Sequence, residues 1–303
     1  MGPRERVAAA LRGEPVAPVP VGAVTQSATF AQMEATGARW AEAHRDARAM
    51  AALAEAAHAV MGFDMARVPF DQTIEAEVLR GEGDRRGVVL EALRLLSART
   101  PAAVLGGVVG PFTIACQVQG VASVIMDALR RPESLAPLLD RALTLAAEYA
   151  RLQVEAGAQA IVVEDMSASL DLTSPRMYRD LILSLQQRLI GQIPAPVILH
   201  ICGGNTKILD AMVRAGAAAL SLEDRTDLAA AARATVTIGG IPPVEVLLHG
   251  TPADVRHAAR ASLDAGVRML APGCGIPPEA PTANLRAMVE AAHEYHAARS
   301  AAS

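Results

Sequence analysis

The residues best suited to chemistry stand in the stretch Val197-Ile198-Leu199-His200-Ile201-Cys202-Gly203-Gly204. An apolar run closed by glycine predicts a buried strand. Strand side chains alternate, so His200 and Cys202 leave its C-terminal end on one face. Leu270-Ala271-Pro272-Gly273-Cys274-Gly275 repeats the design much later, an apolar run ending in a cysteine between glycines. One imidazole and two thiols suit a zinc ion that keeps its fourth position open. The residues alone leave a second reading standing, in which two free cysteines and a strand-end histidine are ordinary core. On the zinc reading, two thiolates leave the site nearly neutral, a mild Lewis acid better fitted to activating a thiol than water. The chemistry to expect is attack by the held thiolate on an alkyl group. Cys116, in Ile114-Ala115-Cys116-Gln117, has no such neighbours and is expected to be structural.

Carboxylates form the next layer: Asp71, Glu164-Asp165 and Glu223-Asp224 each follow an apolar run. Asp165 and Asp71 are the candidates for catalysis or substrate orientation. The alternative for all of these acids is capping of the helices that follow. The six other histidines (His44, His58, His249, His257, His293, His296) read as surface or packing residues. Thr251-Pro252 reads as a helix start, a cap followed by proline at the first position.

These residues need a frame that brings strand ends together. Residues 4–12 predict a short amphipathic helix closed by Gly13, and 43–61 a long one stopped by Gly62. Residues 25–37 read as loop or short helix rather than core, 81–87 as a charged surface hairpin or excursion, and 132–155 as a long helix. Helix, Ala-Gly break and strand recur at Ala156-Gly157, Ala215-Gly216 and Ala265-Gly266. Glycine just past a helix lets the chain turn back. Such alternation implies parallel strands joined by right-handed crossovers. Strands are expected near Val19, Arg67, Val104, Ile161, Ile198, Leu220, Val236 and Met269. Eight of them predict an α/β fold of the (β/α)8 TIM-barrel type, whose active sites lie where the strands end. A doubly wound open sheet is the alternative, weakened by the lack of a glycine-rich G-x-G-x-x-G turn after the first strand.

The chain has 303 residues, 51% of them hydrophobic, enough for one barrel domain with an N-terminal helical extension. A net charge of -4 gives no sign of nucleic acid as partner. Lys207 is the only lysine, which reads as compositional bias. The charged start lacks the apolar core of a signal peptide, and no run reaches membrane length. A cytoplasmic protein without membrane partners is expected, and its odd number of cysteines favours thiols used as ligands.

The chain resembles the methylcobamide:coenzyme M methyltransferases of the methanol and methylamine pathways, within the uroporphyrinogen decarboxylase superfamily. The resemblance runs almost end to end, through Thr36-Gly37-Ala38-Arg39-Trp40, Arg67-Val68-Pro69-Phe70-Asp71, Gly110-Pro111-Phe112-Thr113 and Asp171-Leu172-Thr173-Ser174-Pro175. It implies a barrel in which His200, Cys202 and Cys274 hold zinc. It also implies methyl transfer between that zinc-activated thiol and a methylated corrinoid on a partner protein. Gly203, Asn205 and Ser169 are expected to line the substrate site. Where that family reads Gly-Asn-x-Asp-Pro after the seventh strand, this chain has Gly239-Gly240-Ile241-Pro242-Pro243. The acceptor therefore stays open among coenzyme M, another thiol and tetrahydrofolate. Two rivals remain: a uroporphyrinogen decarboxylase, although 18–26 lacks the arginines that would bind its carboxylated substrate, and a non-catalytic subunit that binds the corrinoid protein.

Overall fold

The computed structural model describes residues 1–68 and 71–301, so Pro69 and Phe70 of the expected second-strand motif lie outside the described residues. Seven strands pair in chain order into one parallel sheet, with helices in the crossovers. They are β1 (Met65–Arg67), β2 (Ala103–Val109), β3 (Ala160–Glu164), β4 (Val197–His200), β5 (Ala219–Leu222), β6 (Val236–Ile241) and β7 (Met269–Pro272). All but one of the eight expected strands are present. The exception is the first.

At the eighth position the chain makes a single parallel bridge, Val21 to Leu270. Leu270 N donates to Pro20 O at 2.9 Å, and Gly22 N donates to Leu270 O at 3.0 Å. On the other side Asp64 N donates to Val21 O, and Val21 N to the Asp64 carboxylate. This segment closes the barrel between β7 and β1. Prolines at 18 and 20 have no N–H to give a ladder, which is why a full strand does not form. Gly22 fits because a Cβ there would stand 2.8 Å from that of Met65.

Inward positions follow the period of two. Met65, Ala103, Leu105, Ala160, Val162, Ile198, Ala219, Ile238, Met269 and Ala271 form one cluster inside the barrel. The helix Pro3–Leu11 adds Val7, Ala10 and Leu11 to that cluster from the end where the strands begin. The expected N-terminal extension is thus a plug under the barrel. Burying such aliphatic side chains contributes about 1.5–3 kcal/mol apiece. The outer helices pack on the opposite strand faces, where Val104, Val108, Ile161, Val163 and Leu199 belong to a second, larger cluster.

Elsewhere the expectations need local correction. The helix expected over 43–61 is two pieces, Trp40–Ala43 and Ala47–Met61, because the Asp46 carboxylate accepts from Arg48 N and Ala49 N and starts a new helix. The long helix after 132 begins as a tight turn, Pro132–Leu135, before Ala136–Glu155. The segment 81–87 makes no hairpin: 81–85 turn between the helices Ile74–Arg80 and Arg86–Ser97, and 86–87 open the second of them. In 25–37, Thr25, Ser27, Thr29 and Gln32 are buried, and Thr29 caps the helix Phe30–Thr36. Thr251 caps Pro252–Asp264 as expected. No single helix among the described residues is long and apolar enough to cross a membrane.

β1 stops early, and that shapes the upper barrel wall. Its ladder with β2 ends at Arg67 opposite Leu105, so among the described residues no strand pairs with the far end of β2 on that side. Gln153, from the helix Ala136–Glu155, replaces it: its Oε1 accepts from Gly107 N and its Nε2 donates to Gly107 O, both at 2.8 Å. Further along, Glu75 Oε1 accepts from Val109 N at 2.8 Å. Gln153→Ala should leave two buried backbone groups unpaired at about 1–3 kcal/mol each. Urea unfolding is expected to show a stability loss of about 2–6 kcal/mol with an unchanged slope.

Candidate metal centre

His200 is the last residue of β4 and faces the barrel interior, two positions beyond Ile198. In register it stands between Glu164 on β3 and Ser221 on β5. Its ring is fully buried, with Nδ1 at 3.2 Å from both Ser221 O and Ser221 Oγ. A carbonyl oxygen can only accept, so Nδ1 carries the proton and Nε2 keeps a free lone pair. That lone pair points at sulfur: Nε2 lies 3.5 Å from Cys202 Sγ, and Cys202 Sγ lies 3.8 Å from Cys274 Sγ. All three ligand-type atoms lie within 4.8 Å of one another.

Those edges test the fit to a metal. Around a tetrahedral ion with bonds of about 2.3 Å to sulfur and about 2.0–2.1 Å to nitrogen, sulfurs stand about 3.8 Å apart and sulfur and nitrogen about 3.5 Å apart. The two edges at Cys202 match, and the third, between His200 and Cys274, lies within 4.8 Å. Both cysteines keep partial exposure while His200 has none, so the triad is approached from the side of its cysteines.

Electrostatics favours one thiolate before the other. The hydrogen bond from Cys202, together with His200, lowers the pKa of Cys274 against the opposing effect of burial. Cys202 is raised, first by that same hydrogen bond to Cys274 and then by burial, since a second anion at this range is repelled. Burial opposes charging His200, yet Cys274 and Glu164 beside it carry the net shift upward.

The turn after Cys202 is built around Gly203, whose φ of 89° lies in the left-handed region. A Cβ there would meet Asp171 Oδ2 at 3.0 Å and Ser169 Oγ at 3.1 Å, so Ser169 does stand against this turn. Gly203 N donates to Glu223 Oε1 at 2.5 Å, and Arg225 pairs with Glu223 and Asp171. Asn205 is buried and donates from Nδ2 to Ile201 O and Gly203 O, which shapes the turn; its Oδ1 is buried without a partner. Lys207 follows on the same rim, exposed, with its carbonyl accepting from Arg179 at 2.7 Å.

The two candidate catalytic carboxylates have other partners. Asp165 is fully buried, accepting from Thr113 N and Oγ1 through Oδ1 and from Gln186 Nε2 through Oδ2. Tyr178 OH donates to Gln186, and Ser167 N to Thr113 Oγ1, so Asp165 is the centre of a buried network. Burial raises its pKa against these bonds. Gly110 makes room, since a Cβ there would lie 2.2 Å from Asp165 Cγ. Asp71 accepts from Thr73 and pairs with Arg85 and with His44 Nδ1, the last at 3.1 Å. Burial works to raise its pKa, but those hydrogen bonds hold it far below the carboxylate range. Asp71 and His44 line an open cleft of about 670 Å³ with Arg45, Glu77 and Arg85, which contains none of the triad.

Sequence reasoning assigned no role to Ser221, Arg67 or Gly107, and it weighed Glu223 and Asp224 as helix caps against a place in the site. Asp227 performs that capping instead, accepting from Ala230 N. Arg67 Nη2 meets Glu164 Oε1 at 3.1 Å inside the barrel. An arginine at an inward strand position, beside the glycine pair of β2, was the available signal.

The profile of the uroporphyrinogen decarboxylase (URO-D) family matches residues 2–82 and 77–295. The chain belongs to this family, and the structure is its TIM-barrel-type fold. Within it the chain is 37% identical to a methylcobamide:CoM methyltransferase of Methanosarcina acetivorans, over 97% of this chain and 98% of that protein. It is 31% identical to another from Methanosarcina barkeri, over 97% and 98%. A solved methyltransferase from Methanosarcina mazei superimposes with a TM-score of 0.93 at 31% identity, covering 98% of this chain and 99% of that one.

The thiols differ enough to be told apart chemically. Cys116 is buried and pushed up to about 12, chiefly by burial. In chelator-stripped protein at neutral pH, iodoacetamide should therefore modify Cys274 first and Cys116 only after denaturation, as read by peptide mass. Labelling at Cys274 should stay level as pH rises from about 6 to 8, where a thiol of pKa ~8.5 speeds up about tenfold per unit.

Proposed function

We propose that this URO-D-family enzyme transfers a methyl group from a methylated corrinoid, carried on a partner protein, to a thiol activated by zinc, with coenzyme M the first acceptor to test. The observation that carries the reading is the His200–Cys202–Cys274 triad, with two edges of tetrahedral length at Cys202 and two partly exposed cysteines. Its full-length likeness to methylcobamide:CoM methyltransferases supports the same reaction. Zinc held by these three residues supplies the Lewis acidity that keeps a substrate thiol deprotonated yet nucleophilic at neutral pH.

The chain's own groups do the rest. Ser221 fixes the His200 tautomer, so that Nε2 faces the sulfurs. Glu223 holds the Gly203 turn and with it the direction of Cys202. Asp165 acts by position: it ties Thr113 and Gln186 together and sets the segment that brings Ser169 against Gly203. Asp71, held as a fixed anion by Arg85 and His44, is a weak base and shapes the rim. A corrinoid is broad and flat, so its methyl group is reached in line only from an open mouth, and the partly exposed sulfurs suit such an approach.

A zinc ion per chain is expected in the purified protein, lost in Cys202→Ala, Cys274→Ala and His200→Ala and kept in Cys116→Ala. Free methylcobalamin should be demethylated in the presence of coenzyme M, followed by the cobalamin colour change, and only by zinc-loaded protein. Thiol binding should release about one proton near neutral pH, because a free thiol of pKa ~8.5 is mostly protonated there. Asp165→Ala should slow turnover without releasing zinc. Equal zinc in all four ligand and control variants overturns the centre. Zinc-loaded protein inert with every thiol and with tetrahydrofolate, even beside its corrinoid protein, makes the chain a binding subunit.

A further inference from the structure

Two buried charges have no part in the reaction as drawn. Arg67 and Glu164 are 2% and 3% exposed, and they meet at 3.1 Å inside the barrel. Desolvation offsets most of what such a pair gains, so it adds little to stability over apolar residues of the same size. Its place is what distinguishes it. Glu164 ends β3 at the inward position in register with His200. Arg67 starts lower, opposite Leu105, and its side chain lies across Gly107. A Cβ on Gly107 would stand 1.9 Å from Arg67 Nη2, so only glycine leaves that path open. The guanidinium is anchored along its length, with Nε donating to Val24 O at 3.0 Å and Nη1 to Val68 O at 3.1 Å. Burial raises the Glu164 carboxyl, and the Arg67 guanidinium, which stays charged in a protein, opposes that rise and gives the carboxylate its partner.

We infer that Glu164 is the anionic floor of the metal centre, and that Arg67, laid across Gly107, is the positioning residue that holds it beside His200. The inference rests on the thiolate centre proposed above. With two thiolates balancing a dication, a third thiolate from substrate leaves one net negative charge. A fixed carboxylate nearby, in a medium of low dielectric, then raises the electron density on sulfur. The sulfur becomes a better nucleophile without any contact between Glu164 and substrate.

Cobalt(II) in place of zinc gives a thiolate-to-metal charge-transfer band that reads this density directly. In cobalt-loaded Glu164→Gln the band should move to shorter wavelength, while Glu164→Asp, which keeps the charge, should stay near the parent. Turnover with coenzyme M should fall about tenfold or more in the Gln variant, in kcat rather than KM. Should Glu164→Gln fail to fold around the buried Arg67 charge, the double variant Arg67→Met with Glu164→Gln removes both charges and should move the band the same way. Gln and Asp variants with the parent's band, or with equal shifts, overturn the inference. Because the band is read without corrinoid, protein inactive on methylcobalamin that still shows the charge-dependent shift loses the functional reading and keeps this one.

Discussion

The register of β4 against its two neighbours decides what this protein can hold. Parallel pairing places Glu164, His200 and Ser221 in one inward layer, and the period of two then fixes which atoms they offer. A slip of one residue would send His200 outward among the helices and bring Leu199 inward. The imidazole needs Ser221 on one side to settle its proton, and it needs the two sulfurs on the other. The first demand is met by the backbone ladder between β4 and β5, the second by turns. Cys202 and Cys274 lie just beyond the strands, where glycine turns allow their approach, so the centre combines one rigid ligand with two on short turns.

The barrel wall supports this layer unevenly. Between β3 and β7 it is continuous ladder, while between β7, Pro20–Gly22, β1 and the upper part of β2 it is assembled from single bridges and side chains. Gln153, Glu75 and the Arg67 side chain stand against the part of β2 that no described strand pairs on that side. Glu75 is fully buried, and desolvation pushes it up to about 7. Polar side chains could occupy this side because β1 is only three residues long. The short strand and the buried Arg67–Glu164 pair are therefore two aspects of one local arrangement.

Much of this could be read in advance, for identifiable reasons. Strand and helix periodicity, with Ala-Gly breaks at helix ends, located seven strands, because those signals are local and repeated. The His200–Cys202 spacing told which face both residues share, because alternation in a strand is rigid. The first strand was misjudged for a local reason as well: an apolar Val-Pro-Val reads as a strand until its missing donors are counted. Partnerships between distant elements were beyond reach. Nothing in the sequence near Asp165 announces Thr113 and Gln186, and nothing near Gly203 announces Glu223. Those pairs depend on which helix packs over which strand end. Gly107 shows the same limit, because its need for glycine is set by a side chain from another strand.

The composition has a practical corollary at the rim. Lys207 is the sole lysine of the chain, and it sits exposed on the turn that follows Asn205, with its backbone tied to Arg179. Apart from the chain's N-terminal amine, it is therefore the natural address for any amine-directed dye. A fluorophore placed there rides on an anchored turn at the end of the barrel where the sulfurs open. The protein thus carries, by an accident of its arginine-rich composition, a ready attachment point from which docking of the corrinoid carrier proposed above would be watched as quenching in real time.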